Sequence, residues 1–241
     1  DMGEKTGQLT VGIDKQIFPY ISSCNISCGF HGGNPFHIEK TIKAALENNI
    51  RIGAHPSYPD LEGFGRRKMK LRSSELKSII KYQVSALKGL TESYGAKLEY
   101  VKPHGALYNE MAINKAEAIN VIEAIQSIDS NLALMGLAGS HLEQIAKKTG
   151  INFIAEAFGD RQYEANGHLR SRKKEGAVIH NAKLAAEQVM NIILQQKVNS
   201  FDGSTISIKA QSICIHGDNP AVLDILKEVH KSIEKNAIQL I

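Results

Sequence analysis

Histidine follows four short apolar runs of this chain. The segments ISCGFHGGNP, IGAHPSYPD, VKPHGALYN and CIHGDNP set His31, His55, His104 and His216 just past stretches of strand length. Imidazole moves a proton near neutral pH and binds metals through either ring nitrogen, so a convergence of several would suit acid–base or metal chemistry. Lys102 stands two residues before His104, across Pro103, where an extended chain projects both in a similar direction; a lysine at the end of a buried strand calls for an anion. Glu156, Asp160 and Arg161 follow the run NFIA, with Arg172 further on, and Asp218 lies beside His216. Such carboxylates could hold magnesium or activate water, and such arginines could clamp an anion. Arg67, in GFGRRKMK, reads as a further anion contact on a long loop. Asp1, His31 and His55 would make a two-histidine, one-carboxylate metal site if they converged. The glycines around His31 lead toward a helix start at Asn34, a place suited to phosphate or carboxylate, but match neither the P-loop nor the dinucleotide pattern.

The elements that must position these groups are marked along the chain. Runs rich in Ile, Val and Leu at 21–27, 50–54, 98–101, 132–137, 152–157 and 212–215 suit strands covered on both sides, with helically spaced segments between them. Asn34-Pro35, Asn219-Pro220, Asn114 to Glu117 and Ser140 to Glu143 read as helix starts, and Gly150 as a stop. Ala118, Val121, Ile122 and Ile125 form one apolar stripe; Ile79, Ile80, Val84, Leu87 and Leu90 form another. Strand and helix alternating without a linker predicts a parallel α/β fold in one domain, 1–241. A doubly wound sheet also fits, but polar clusters after most strands favour a barrel, whose site lies at the carboxyl ends of its strands.

Composition narrows the function. The 241 residues are 42% hydrophobic and 22% charged, with a formal charge of +4 spread along mixed-sign helices, so neither disorder nor a nucleic-acid footprint is indicated. Three cysteines without CxxC spacing read as reduced thiols of a cytoplasmic protein, and no run reaches the roughly 18 apolar residues of a membrane span. The abrupt start at Asp1 places the natural start upstream.

In these residues the chain resembles the LamB/YcsF family, whose characterised members are the A component of bacterial ATP-dependent 5-oxoprolinase. DMGE, NISCGFHGGNP, IGAHPSYPDLEGFGRR, VKPHGALYN, EAFGDRQY and CIHGDNP match that family's blocks in order across nearly the whole length. Gly32, Asn34 and Gly159 depart from its usual alanine, aspartate and alanine, and the family's first strand would precede Asp1. The resemblance implies a modified seven-stranded TIM-like (β/α) barrel of the glycoside hydrolase/deacetylase type, its first stave ahead of this chain. It implies ATP-driven opening of 5-oxo-L-proline to L-glutamate, with ATP and Mg2+, beside B and C subunits. The implied catalytic set is Lys102, His104, Glu156, Asp160 and His216. Asn25, His31, His55, Arg67, Arg161, Arg172 and Asp218 would contact substrate or phosphate, with Asp1, His31 and His55 as metal candidates. Two alternatives stand beside this reading: a metal-dependent deacetylase or amidohydrolase working without ATP, and a non-catalytic substrate-binding subunit.

Overall fold

Short β-branched runs between turn residues become the strands of this molecule, and the amphipathic segments between them its helices. The computed structural model describes residues 1–4 and 14–240. After α1 (Asp14–Ile17) come β1 (Ser23–Ser27), α2 (Pro35–Glu47), β2 (Arg51–His55), α3 (Ser73–Ser93), β3 (Leu98–Val101), α4 (Gly105–Ile113) and α5 (Lys115–Gln126). Then follow β4 (Ala133–Leu137), α6 (Leu142–Thr149), β5 (Phe153–Phe158), α7 (Ala182–Gln195), β6 (Lys197–Asn199), β7 (Thr205–Ser207), β8 (Ser212–Cys214) and α8 (Val222–Lys235). Each apolar run expected to form a strand does so. Among the described residues six strands pair in one parallel sheet.

The chain divides into two compact units, residues 1–136 with 141–153, and residues 137–140 with 154–241. In the first, β1 pairs β2, β2 pairs β3 and β3 pairs β4, all in parallel, with Ser27 opposite His55 and Ala54 opposite Val101. Met2 bridges Ile26 from the other side of β1, which brings Asp1 and Glu4 alongside that strand. The α5 stripe read from the sequence, Ala118, Val121, Ile122 and Ile125, is buried; of the α3 stripe Ile80, Val84 and Leu87 are buried, Ile79 and Leu90 only half-buried, and Leu76 joins the buried face. Each large apolar side chain so buried contributes roughly 1.5–3 kcal/mol.

Two helix starts match their expectation and two are corrected. The Asn34 side chain accepts from the His37 N–H and that of Asn114 from Ala116 and Glu117, while Gly150 ends α6 with φ 74°. In contrast α6 starts at Leu142 with no side-chain cap, and α8 starts at Val222, later than expected, with the Asn219 side chain accepting from the Ala221 N–H just ahead of it. Because Asn34 caps α2 itself, that N-terminus is less open to an anion than the glycine-rich turn implied.

In the second unit β5 pairs β8 in parallel, with Glu156 opposite Ser212 and Phe158 opposite Cys214. The antiparallel hairpin of β6 and β7 was not foreseen. Ala185, Ala186 and Val189 of α7 join Ile225, Val229 and Ile233 of α8 in one buried cluster.

Candidate active site

Strand register brings the histidines of the first unit together. His55 ends β2, and the β2–β3 pairing continues past Val101, so that Lys102 donates its N–H to the Ala54 carbonyl at 2.8 Å and His104 donates to that of Pro56 at 2.8 Å. Two hydrogen bonds thus fix the Lys102-Pro103-His104 segment alongside the extension of β2. His31 arrives from the turn after β1, where the Ser27 hydroxyl donates to the Gly32 carbonyl. Gly33 has φ 81°, and a Cβ there would lie 2.4 Å from the Gly3 carbonyl, so the turn and the Asp1–Glu4 segment pack backbone to backbone.

The result is a buried cluster of Glu4, His31, His55 and His104, whose ligating atoms all lie within 4.8 Å of one another. His31 Nε2 is 3.0 Å from Glu4 Oε1, and His104 Nδ1 is 3.7 Å from the same oxygen. The His31 and His104 rings stack with centroids 3.8 Å apart, whereas His55 meets His104 edge-on at 86°. Asp1 adds a second carboxylate: its Oδ2 is 3.3 Å from His55 Nε2, its Oδ1 accepts from Asn25 Nδ2 at 2.8 Å and lies 3.7 Å from Lys102 Nζ. Asp1 is the anion that the buried Lys102 called for.

Burial, the largest influence, and then the charge of Lys102 hold His55 down to about 3. Burial also drives His31 and His104 well below their usual value, helped by the neighbouring imidazoles. The three rings therefore resist protonation at physiological pH and offer lone pairs to a cation rather than protons for donation. Asn25 Oδ1 and His31 Nδ1 are buried and have no hydrogen-bond partner among the described residues.

Register explains the second unit's cluster as well. The offset that sets Phe158 opposite Cys214 sets Asp160 opposite His216 two residues later. His216 donates its backbone N–H to Asp160 Oδ2 at 3.0 Å, and its Nδ1 lies 2.8 Å from Asp160 Oδ1. Asn219 Nδ2 donates to Asp160 Oδ2 at 3.3 Å, and Asn219 Oδ1 lies 3.0 Å from His180 Nδ1. Burial alone would raise the Asp160 carboxyl; the charge and hydrogen bonds of His216, with Asn219, outweigh it and hold the group at about 2. A carboxylate only accepts, so His216 carries a hydrogen on Nδ1; in its neutral form the ring would present Nε2 as a base. The loop carrying Asp160 is pinned by Gln188, whose Nε2 donates to the Phe158 and Arg161 carbonyls at 2.7 and 2.8 Å.

The remaining expected residues divide between these clusters and the loops. Glu156 is buried on β5. Arg172 pairs with Asp218 at 3.3 Å. Arg161 donates to the carbonyls of Ala177 and Arg170 at 3.1 and 2.6 Å, which ties down its own loop. Arg67 grips the buried Asp60 on a surface loop, with most of its side chain exposed. Cys28 gives no support to a thiol nucleophile, because burial pushes it up to about 12.

Glu4, Asn219 and His180 were not singled out in the sequence. Glu4 belongs to the DMGE block and carried that signal; Asn219 reads as a helix cap, and His180 has no local context at all.

The sequence pattern of the LamB/YcsF family matches residues 1–241. The chain belongs to the LamB/YcsF family. The A component of the 5-oxoprolinase of Campylobacter jejuni subsp. jejuni is 44% identical over 240 residues, which cover 100% of this chain and 94% of that protein. Its counterpart in Alkaliphilus metalliredigens, which bears the same name, is likewise 44% identical, over 241 residues and with the same coverage. Among solved structures, the lactam utilization protein of Thermus thermophilus superposes with a TM-score of 0.92 at 35% identity, covering 99% of this chain and 95% of its own. The parallel α/β, TIM-like fold expected from the family is thereby shown.

Proposed function

We propose that this family member takes part in opening the lactam of 5-oxo-L-proline to L-glutamate, as the A component of an assembly with B and C subunits that consumes ATP. The observation that supports it most is the group of partly covered Asp1 with buried Asn25, His55 and Lys102, in a chain whose relatives, matched over 94% of their length, are named as the A component of 5-oxoprolinase. Amide resonance makes the lactam carbonyl a poor electrophile, which is why coupling to ATP makes chemical sense. Transfer of the γ-phosphoryl group to the lactam oxygen releases ADP and leaves an electrophilic ring carbon. Water adds there, and the C–N bond breaks as the nitrogen takes a proton. A second water then splits the resulting acyl phosphate to glutamate and phosphate.

The side chains supply charge and proton acceptors for these steps. The Lys102 ammonium offsets negative charge growing on the lactam oxygen. Asn25 Oδ1 offers an acceptor to the lactam N–H. Within the second unit, His216 beside Asp160 offers a general base of its own when its ring is neutral. His31, His55 and His104, neutral and buried, set the geometry around Asp1 and Glu4.

ADP release and glutamate formation from 5-oxoproline test the reading, with this chain alone, with B and C subunits alone, and with all three. Turnover confined to the complete mixture is expected; equal turnover without this chain would overturn the proposal. A second reading, a metal-dependent amide hydrolase, draws on the Glu4 and histidine cluster. It predicts turnover in the absence of nucleotide.

A further inference from the structure

The rings of His55 and His104 meet in an arrangement that two neutral imidazoles do not sustain by themselves. His55 Nδ1 is 2.6 Å from the Lys102 carbonyl and His104 Nε2 is 2.8 Å from the Phe64 carbonyl. A carbonyl only accepts, so each ring spends its single hydrogen outward. The inward atoms, His55 Nε2 and His104 Nδ1, then carry lone pairs and face each other at 2.9 Å with no hydrogen between them. Two carboxylate oxygens flank this pair, Asp1 Oδ2 at 3.3 Å from His55 Nε2 and Glu4 Oε1 at 3.7 Å from His104 Nδ1. Both outward carbonyls are fixed by backbone. That of Lys102 follows the β2–β3 register, and that of Phe64 is set by left-handed conformations at Phe64 and Gly65, with φ 53° and 65°.

We propose that His55 Nε2, His104 Nδ1, Glu4 and Asp1 bind one divalent transition-metal ion of the zinc class, with His31 holding Glu4 in position. Donor atoms of an ion bound at about 2.1 Å stand roughly 3.0–3.4 Å apart, close to the separations found here. Two imidazoles with two carboxylates favour zinc, cobalt or manganese over magnesium or calcium. His31 is the less suitable ligand of the buried group. Its ring lies parallel to that of His104, with an angle of 2° between planes, so their in-plane lone pairs do not point at a common ion. Its Nε2 instead lies 3.0 Å from Glu4 Oε1, the contact of a positioning residue. The assignment thus differs from the Asp1, His31 and His55 set expected from sequence. His104 and Glu4 enter, and His31 moves outward.

This inference takes the first-unit cluster as the reactive centre and in that sense rests on the function proposed above, but it is measured without substrate, nucleotide or partner subunits. The full chain, stripped of metal by dialysis, is titrated separately with Zn2+, Mn2+ and Co2+, and the Co2+ form is examined by absorption and proton NMR. One equivalent of Zn2+ or Co2+ is expected. The Co2+ form is expected to show two paramagnetically shifted, exchangeable N–H signals, from His55 Nδ1 and His104 Nε2. His55→Gln and His104→Gln are expected to weaken Co2+ binding by on the order of 100-fold or more, while His168→Gln leaves it unchanged. His31→Leu is expected to weaken it about 10- to 100-fold, and His31→Gln, which keeps a donor for Glu4, to restore most of the loss. No stoichiometric uptake of any of the three ions by the wild-type chain would overturn the proposal, and so would uptake that lacks the two shifted signals. Loss of turnover with binding intact would count against the proposed reaction and not against the site.

Discussion

Lys102 and Asp160 are buried charges whose partners the structure supplies, and each leads to a measurable consequence. Lys102→Met keeps the length of the side chain but removes the cation beside Asp1, so turnover of the assembled enzyme should fall by roughly 100-fold or more while the fold persists. Steady-state ADP release checks this, and normal turnover would remove the lysine from the reaction. Asp160 is held at about 2 against a usual 3.8. A depressed carboxylate stabilises the fold above its unfolded value and loses that contribution as pH falls through the folded one. The contribution, about 2 kcal/mol, should therefore be full above pH ~4 and vanish toward pH ~2. Urea denaturation at pH 6 and pH 3 should show this acid loss in the wild type and a smaller loss in Asp160→Asn. Cys28, pushed up to about 12, should resist iodoacetamide at pH 8 in the folded chain, and Cys28→Ala should keep turnover within about twofold. At this scale much of the site was legible: His31, His55, His104 and Lys102 stand out by type and by their place after apolar runs. Their protonation was not, because neutrality follows from burial among one another, which no local pattern records.

Elements explain why those residues meet. A parallel ladder carries a fixed offset, so a histidine past one strand end faces whatever stands at the same offset past its neighbour; Asp160 faces His216 for that reason. The strands themselves were readable as apolar runs, but which runs pair was not, and without the pairing Asp160 and His216 remain unrelated residues. Asn219 was half readable. Its Oδ1 accepts from the Ala221 N–H at 3.1 Å, as its local sequence suggests, yet its Nδ2 also holds Asp160, which no local pattern shows. The turn through Gly65 offers a sharp check. A Cβ there would lie 2.8 Å from His104 Cδ2 and 2.9 Å from His31 Cβ, at a φ of 65° that side chains other than glycine's rarely adopt. Gly65→Ala should cost ~3 kcal/mol of stability, read as a shift in the denaturation midpoint. It should also lower turnover, because the displaced rings are those of the buried cluster.

The family pattern runs the full length of the chain, and relatives matched over 94% of their own length share 44% of its residues, so membership rests on the entire molecule and not on one motif. No helix among the described residues is long and apolar enough to cross a membrane. The single-domain expectation is a proposal about cooperativity: the chain passes between its two compact units at residues 136–137, 140–141 and 153–154, and one unfolding transition seen alike by fluorescence and circular dichroism would support it. The substrate was never legible in residue types; it came from the resemblance to a family and rests on what its relatives are named. The most direct measurement is therefore coupled product formation by the reconstituted assembly, with ADP and L-glutamate quantified from 5-oxo-L-proline in the same reaction. The account predicts one ADP for each glutamate, and loss of both products when this chain is left out or carries Lys102→Met. Glutamate formed at an undiminished rate without this chain, or by this chain without ATP, would contradict it.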